Sequence, residues 1–557
     1  MFRVFVKQIT NYKAGLLLLA FFSMFSCATH SVQTGNKANN SVNSVLDSLT
    51  IQHTFFLVGD AGNANQPNAL QTLKLLESQL TKTQEKATLV FLGDNIYPDG
   101  MPTDKNDPNR AEAEEKLTIQ LEIAKKFSGK TIFMPGNHDW NNGLKGLEAQ
   151  EKFISAFLSE KKAFVPRNGC AIETVKINDH IAMIVVDSEW FLQDWDEHPT
   201  MNDDCDIKTR TEFLDELKSE INKNQNKFTL LAIHHPLMSN GPHGGRFSLK
   251  KHLYPFNNGL PLPLVGSMIN FLRKTTGVSP QDLHNKQYRN LVNMIKPMIQ
   301  NRNNILVISG HEHNLQYLEK DGIKQVISGA ASKSEPSRAV HSNDFSFGGS
   351  GFCKVEVYED ESALLTFFST ADNSLQKIHA VIIPSPIPHL EEIKYVANLN
   401  KKVTAAIYKS EETQKSKFYK FLWGEHYRTY YSLPIEATVV QLDTLYGGLT
   451  PTISGGGNQS ESLRLEDKNG KDYVMRALKK NATRFLQSAF RDQNAVVGFQ
   501  DTYAEKFIYD FYTTGHPYTP FIIGKLADKI GIFHSNPNLY FIPKQSQLGK
   551  YNEAFGD

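Results

Sequence analysis

Short apolar runs punctuate the chain at residues 54–58, 88–92, 131–134, 182–186, 229–233 and 305–308. Each is rich in β-branched or aromatic residues and nearly continuous in apolar character. A strand covered on both faces reads this way, whereas a half-solvated strand alternates. Between them, residues 68–80 and 211–221 repeat apolar positions at helical spacing. Strand and helix alternate over residues 52–383, which predicts an α/β domain. In such folds residues at the carboxyl ends of neighbouring strands converge on one crevice.

The rhythm breaks between His243 and His311. Pro255, Pro261 and Pro263 precede two helical stretches, 267–273 and 288–299. An insertion of this length beside a crevice forms either a lid or substrate wall, or a peripheral subdomain. Pro384, Pro386 and Pro388 end the region, and a polar linker bearing several lysines is expected over 384–417. Residues 418–557 read as a smaller α+β region of unknown function, with a hairpin turn across Asp467, Asn469 and Gly470. No segment shows the serial alternating strands of a membrane barrel.

At the amino end, Arg3, Lys7 and Lys13 precede an apolar run over residues 16–25. The run is too short for a permanent spanning helix and predicts an export signal. Ser26 and Cys27 follow, and a small residue before a cysteine resembles a bacterial lipoprotein cleavage site. The resemblance implies a signal peptide over 1–27, lipidation of Cys27, and membrane attachment through that lipid. The alternative is an ordinary signal peptide with an incidental cysteine. Residues 28–51, rich in Ser, Asn, Thr and Gln, are expected to be a flexible tether. The expected location is the bacterial cell envelope, as an outer-membrane lipoprotein facing the periplasm or the cell surface.

Composition narrows this further. A chain of 557 residues exceeds one ordinary domain, and 40% hydrophobic with 21% charged residues is that of a folded protein. Lys plus Arg is 60 against Asp plus Glu 59, a net charge of +1, which gives no reason to invoke nucleic acid. Besides Cys27 there are Cys170, Cys205 and Cys353, none in metal-ligand spacing. Export permits a disulfide, and Cys170 with Cys205 is favoured because both flank one predicted strand-loop region.

The chemistry lies in five motifs: GDAG at 59–62, GDNIY at 93–97, GNHD at 136–139, AIHHP at 232–236 and GHEH at 310–313. They supply Asp, Asn, Tyr and His, the donors that hard and borderline cations take. Together they resemble the purple acid phosphatase branch of the calcineurin-like metallophosphoesterases, over about residues 53–380. The wider family usually has Asp-x-His in its first motif; here Gly62 stands at the third position, and Tyr97 can replace the missing histidine.

The resemblance implies a two-sheet αββα metallophosphoesterase sandwich. It implies that Asp60, Asp94, Tyr97 and His313 hold one metal, and that Asp94 bridges to a second held by Asn137, His234 and His311. A phenolate suits Fe(III), and neutral His and Asn suit a divalent Fe, Zn or Mn. His138 and His243 are the expected catalytic histidines. Asp139 is expected to orient neighbouring groups, while Asp187 and Trp190 either line the pocket or sit in the core.

The implied reaction is hydrolysis of phosphate monoesters, on a small molecule or a protein, by in-line attack of a metal-activated hydroxide. One histidine would protonate the leaving oxygen, and an acidic optimum is expected because free histidine titrates near about 6.5. Two alternatives stay open: a phosphodiesterase or nucleotide hydrolase on the same metals, and a cell-envelope binding or assembly module with secondary phosphatase activity. The second region, through LWGEHYR at 422–428 and GGLTP at 447–451, resembles a segment of large exported bacterial proteins.

Overall fold

The structure, a computed structural model, describes residues 28–35, 49–83, 86–195, 198, 200–255, 261–300, 302–385, 402–456, 460–480 and 503–556. Cys27, residues 36–48 of the expected tether and residues 386–401 of the expected linker lie outside the described residues. The chain divides into two compact units, Met1–Pro384 and Ser385–Asp557.

The first unit holds two sheets. In one, β2 (Ile51–Val58), β3 (Ala87–Phe91) and β4 (Lys130–Phe133) run parallel. The antiparallel strands β12 (Gly351–Tyr358), β13 (Ala363–Ser369) and β14 (Gln376–Ile383) extend it on the β2 side. The other sheet has a parallel centre of β6 (Ile181–Val186), β7 (Phe228–Ile233), β8 (Ile305–Ser309) and β10 (Ile323–Ser328). Its flanks are β5 (Ile172–Lys176) on one side and β9 (Leu315–Lys320), β11 (Phe345–Phe347) and β1 (Gln33–Thr34) on the other.

Alternate residues of one strand feed different layers. Phe55 and Leu57 of β2 join a core that includes Leu230, Ala232 and Leu306 of the opposite sheet. Phe56 and Val58 join a second core with Leu73 and Leu76 of the helix Pro67–Leu80. Because both faces of β2 are buried, the strand reads as an unbroken apolar run. The layers are helix, sheet, sheet and helix, the sandwich expected from the sequence.

Two expectations need correction. Residues 28–35 are not a free tether: β1 pairs antiparallel with β11, Ala28 is buried and donates its N–H to the Phe247 carbonyl, and Thr29 bridges Ser337. Their polar composition suits an edge strand, whose backbone bonds do not depend on an apolar face. The linker is also shorter than 384–417. β15 (Lys402–Ala405) pairs with β16 (Ile435–Val439) of the second unit, so part of a stretch that read as solvated chain is an edge strand. A disulfide joins Cys170 and Cys205, and Cys353 is buried between the sheets.

The second unit contains a three-stranded meander, β17 (Leu449–Gly456), β18 (Ser460–Asp467) and β19 (Asp472–Lys480), with the turn between the last two at Asp467–Gly470. Its buried ion pair is bidentate: Arg428 Nε and Nη2 donate to Asp510 Oδ1 and Oδ2 at 2.7 and 2.8 Å. Among the described residues no helix is long and apolar enough to cross a membrane.

Leu57→Ala opens a cavity between the two sheets and is expected to cost about 2–5 kcal/mol. Urea denaturation would show it as a lowered midpoint with an unchanged slope.

Candidate metal centre

Three strand ends make the same sharp turn. Asp60 follows β2, Asp94 follows β3 and His311 follows β8, with φ of +59°, +55° and +69°. A left-handed residue other than glycine ends the extended run at some conformational cost, and such residues cluster at functional sites. Gly62 lets the GDAG turn pack closely on GDNIY. A Cβ there would lie 2.7 Å from Tyr97 N, 2.8 Å from the Asp94 carbonyl oxygen and 2.8 Å from Tyr97 Cδ2, so main chain as well as ring requires a glycine at this approach.

The seven expected ligands come together as two donor sets that share one carboxylate. Tyr97 Oη donates to Asp60 Oδ1 at 2.8 Å and lies 3.0 Å from Asp94 Oδ2. His313 Nε2 is 3.2 Å from Tyr97 Oη and 3.5 Å from Asp60 Oδ1. On the other side His234 Nε2 lies 3.4 Å from Asp94 Oδ1 and 3.2 Å from Asn137 Oδ1. His311 Nδ1 is 3.1 Å from the same Asn137 oxygen. Asp94 therefore turns Oδ2 to the Tyr97 set and Oδ1 to the His234 set.

The rings are aimed by backbone carbonyls. His234 donates from Nδ1 to the Leu92 carbonyl at 2.7 Å, which leaves Nε2 for the centre. His311 is held the other way round, Nε2 donating to the Gln281 carbonyl at 2.9 Å, which leaves Nδ1. Fixing one nitrogen to set the role of the other is how metal-binding histidines are oriented. Asp139 does not join the ligands. It accepts from Asn95 N at 3.1 Å and Gly136 N at 2.8 Å, and so fixes the GDNIY and GNHD turns against each other.

The charges fit a cation. Burial, with help from Asp94, pushes Asp60 up to about 7. Burial likewise raises the Tyr97 phenol well above its usual value, as do Asp60 and Asp94. Burial opposes the ionised form of Asp94 too, but attraction to His234 and His138 outweighs it and holds the carboxylate low. His234 is the counterpart: burial disfavours its charge, yet Asp94 drives it up to about 10. Carboxylate and phenol oxygens on one side, and imidazole nitrogens with an amide oxygen on the other, are donors that hard and borderline cations take.

His138 and His243 sit at the open edge, with side chains 30% and 20% exposed, while Asp94 and His234 are almost completely covered. His138 Nε2 is 4.0 Å from Asp94 Oδ2. His243 Nδ1 donates to Asp282 Oδ1 at 2.9 Å, and its ring lies 4.3 Å from that of His311. Asp187 and Trp190 are fully buried; Asp187 accepts from Trp140 Nε1 and belongs to the core. His235 is also enclosed, between Ser188 Oγ and Gln281 Oε1.

Sequence reasoning did not find Gln281, Asp282 or Lys333. The first two lie in the insertion, far from any motif. Lys333 places Nζ 3.2 Å from the centroid of the Tyr97 ring, and only its position in a Ser- and Ala-rich turn after β10 could have hinted at a strand-end residue.

Asp94→Ala is expected to abolish binding of both ions, and Asn137→Ala to abolish one. Metal analysis of the purified variants checks this, and equal losses in the two would count against a shared carboxylate.

Residues 53–315 match the calcineurin-like phosphoesterase family. Human tartrate-resistant acid phosphatase type 5 is 24% identical over 367 residues, covering 60% of this chain and 92% of that protein. Among solved structures, GAP50, the anchor in the inner membrane complex of Plasmodium, shares 17% identity over 60% of this chain and 90% of its own, at a TM-score of 0.38. Purple acid phosphatase PPD1 from yellow lupin (Lupinus luteus) seeds shares 13% identity over 59% of this chain and 53% of its own, at a TM-score of 0.36. The family match spans every candidate ligand from Asp60 to His313. Residues 53–315, somewhat less than half of the chain, are thus similar to the calcineurin-like phosphoesterases, and this match together with the acid phosphatase relative supports a metal-dependent phosphoric ester hydrolase.

Proposed function

We propose that the chain is an exported phosphatase that hydrolyses phosphate monoesters at a dinuclear centre. Asp60, Asp94, Tyr97 and His313 would hold Fe(III). Asp94, Asn137, His234 and His311 would hold a divalent Fe, Zn or Mn. The observation that carries this reading is the division of Asp94 between two donor sets, Oδ2 within 3.0 Å of the tyrosine and Oδ1 within 3.4 Å of the histidine. One carboxylate with both oxygens committed is what a bridged pair of cations needs. Bound metals would polarise the phosphoryl group and make a nucleophile available near neutral pH.

The remaining work falls to side chains. His138 and His243 stand at the exposed edge, where a terminal phosphate has to enter. Burial lowers the proton affinity of His243, but the hydrogen bond and charge of Asp282 outweigh it and keep the ring above its usual value. Asp282 Oδ1 accepts a hydrogen bond from Nδ1–H, so Nε2 is left to donate to a phosphoryl or leaving oxygen. Arg273 grips Asp282 through Nε at 3.0 Å and Nη2 at 2.7 Å, which fixes the carboxylate that fixes the ring. Export and attachment at Cys27 rest on the leader-like order of charge, apolar run and cysteine in the sequence.

His243→Asn is expected to lower kcat by about 10²–10⁴-fold with metal content unchanged. Initial rates should be highest on p-nitrophenyl phosphate, lower on ATP and lowest on the bis ester. A preference for the bis ester would replace the monoesterase reading with a diesterase. Tyr97→Phe should remove a visible tyrosinate-to-iron band, and a colourless parent protein would exclude iron at that side.

A further inference from the structure

The helix Pro263–Thr276 turns its apolar stripe the wrong way for a protein interior. Met268, Phe271 and Leu272 lie at i, i+3 and i+4, on one face, and are 57%, 64% and 45% exposed. Among its described side chains the buried positions are Gly266 and Asn270; a Cβ on Gly266 would run into the His252 carbonyl. Val278, just past the helix, is 78% exposed, and Leu249 and Tyr254 at the preceding short helix Leu249–Leu253 are exposed as well. So much outward apolar surface in one segment marks an interaction site.

Two observations say what covers it. From Gly244 to Gln281 the sequence contains no Asp or Glu, while Arg246, Lys250, Lys251, Arg273 and Lys274 all lie there. Arg273 is engaged by Asp282, and the remaining basic residues give this apolar segment the positive charge that complements an anionic lipid surface. The chain also enters the domain at this place. Ala28 donates to the Phe247 carbonyl at 3.2 Å and bridges Ser248, at the foot of the helix Leu249–Leu253. The residue immediately before it is Cys27, and the apolar run 16–25 lies just upstream. Whatever holds that end at a membrane holds this subdomain there with almost no slack.

We propose that the outward face of helix 263–276, with the basic residues of segment 244–281, docks on an anionic lipid bilayer. The insertion then has two tasks. Its outer part meets lipid, and Gln281 and Asp282, after the helix 263–276, orient His311 and His243 at the centre. The export reading supplies the compartment, while the docking face stands whether or not the centre hydrolyses monoesters.

The test uses the full chain carrying Cys27→Ser and Val278→Cys, labelled with a polarity-sensitive fluorophore; Cys170 and Cys205 are bonded to each other and Cys353 is buried. Vesicles of phosphatidylcholine with phosphatidylglycerol should shift its emission to the blue, and phosphatidylcholine alone should not. The same label at Lys161→Cys should not shift. Met268→Glu with Phe271→Glu should raise the vesicle concentration needed roughly tenfold or more, with hydrolysis of soluble p-nitrophenyl phosphate unchanged. Vesicle binding without a shift at 278, or a shift indifferent to the glutamates, would overturn the proposal. So would a shift that grows with protein concentration in the absence of vesicles, because a second copy would then be the occupant. Mass spectrometry of the mature amino terminus reports on lipidation separately. Loss of hydrolysis with the shift retained would fault the enzymatic reading alone.

Discussion

The structure of the first unit is organised around one carboxylate that has to face two ways. Asp94 sits in a left-handed turn at the end of a central strand, fully enclosed, with each oxygen turned to a different donor set. Ionising a buried carboxylate is costly unless positive charge is close by. Here attraction to His234 and His138 favours the ionised form, and bound metals would add to it. The neighbouring backbone yields to this demand: a Cβ at Gly136 would overlap the Asp94 carboxylate, so the GNHD turn approaches as bare main chain. Without that closeness Asn137 could not reach the centre beside His234.

The sheets serve the same end. β2, β3 and β4 in one sheet, and β7 and β8 in the other, each run into a turn that carries a ligand. Two sheets packed face to face, each carrying a block of parallel strands, bring these carboxyl ends to one rim. Rigid strands hold the ligands, and the insertion after His243 supplies the parts that only touch them, the Gln281 carbonyl and the Asp282 carboxylate. This division separates the placement of metals from the handling of protons. The same insertion carries the outward apolar stripe, so the surface that meets the surroundings and the groups that tune the histidines are continuous in sequence.

Much of this was legible from the sequence because burial leaves a period. Strands covered on both faces gave unbroken apolar runs, and the expected strand at 54–58 lies within the observed Ile51–Val58. The seven candidate ligands were legible because all of them lie in five short motifs at strand ends. What stayed hidden depended on contacts without a local signal. Gln281 and Asp282 act through tertiary placement, from a segment with no motif. Residues 28–35 looked like a tether because an edge strand is held by backbone bonds, which polar side chains neither favour nor betray. The strand Lys402–Ala405 was missed for the same reason.

Anomalous X-ray diffraction from metal-loaded crystals tests the central claim most directly. Two peaks about 3.5–4 Å apart, one on each side of the Asp94 carboxylate, are the predicted result. A single peak, or a pair that Asp94 does not touch, would contradict it.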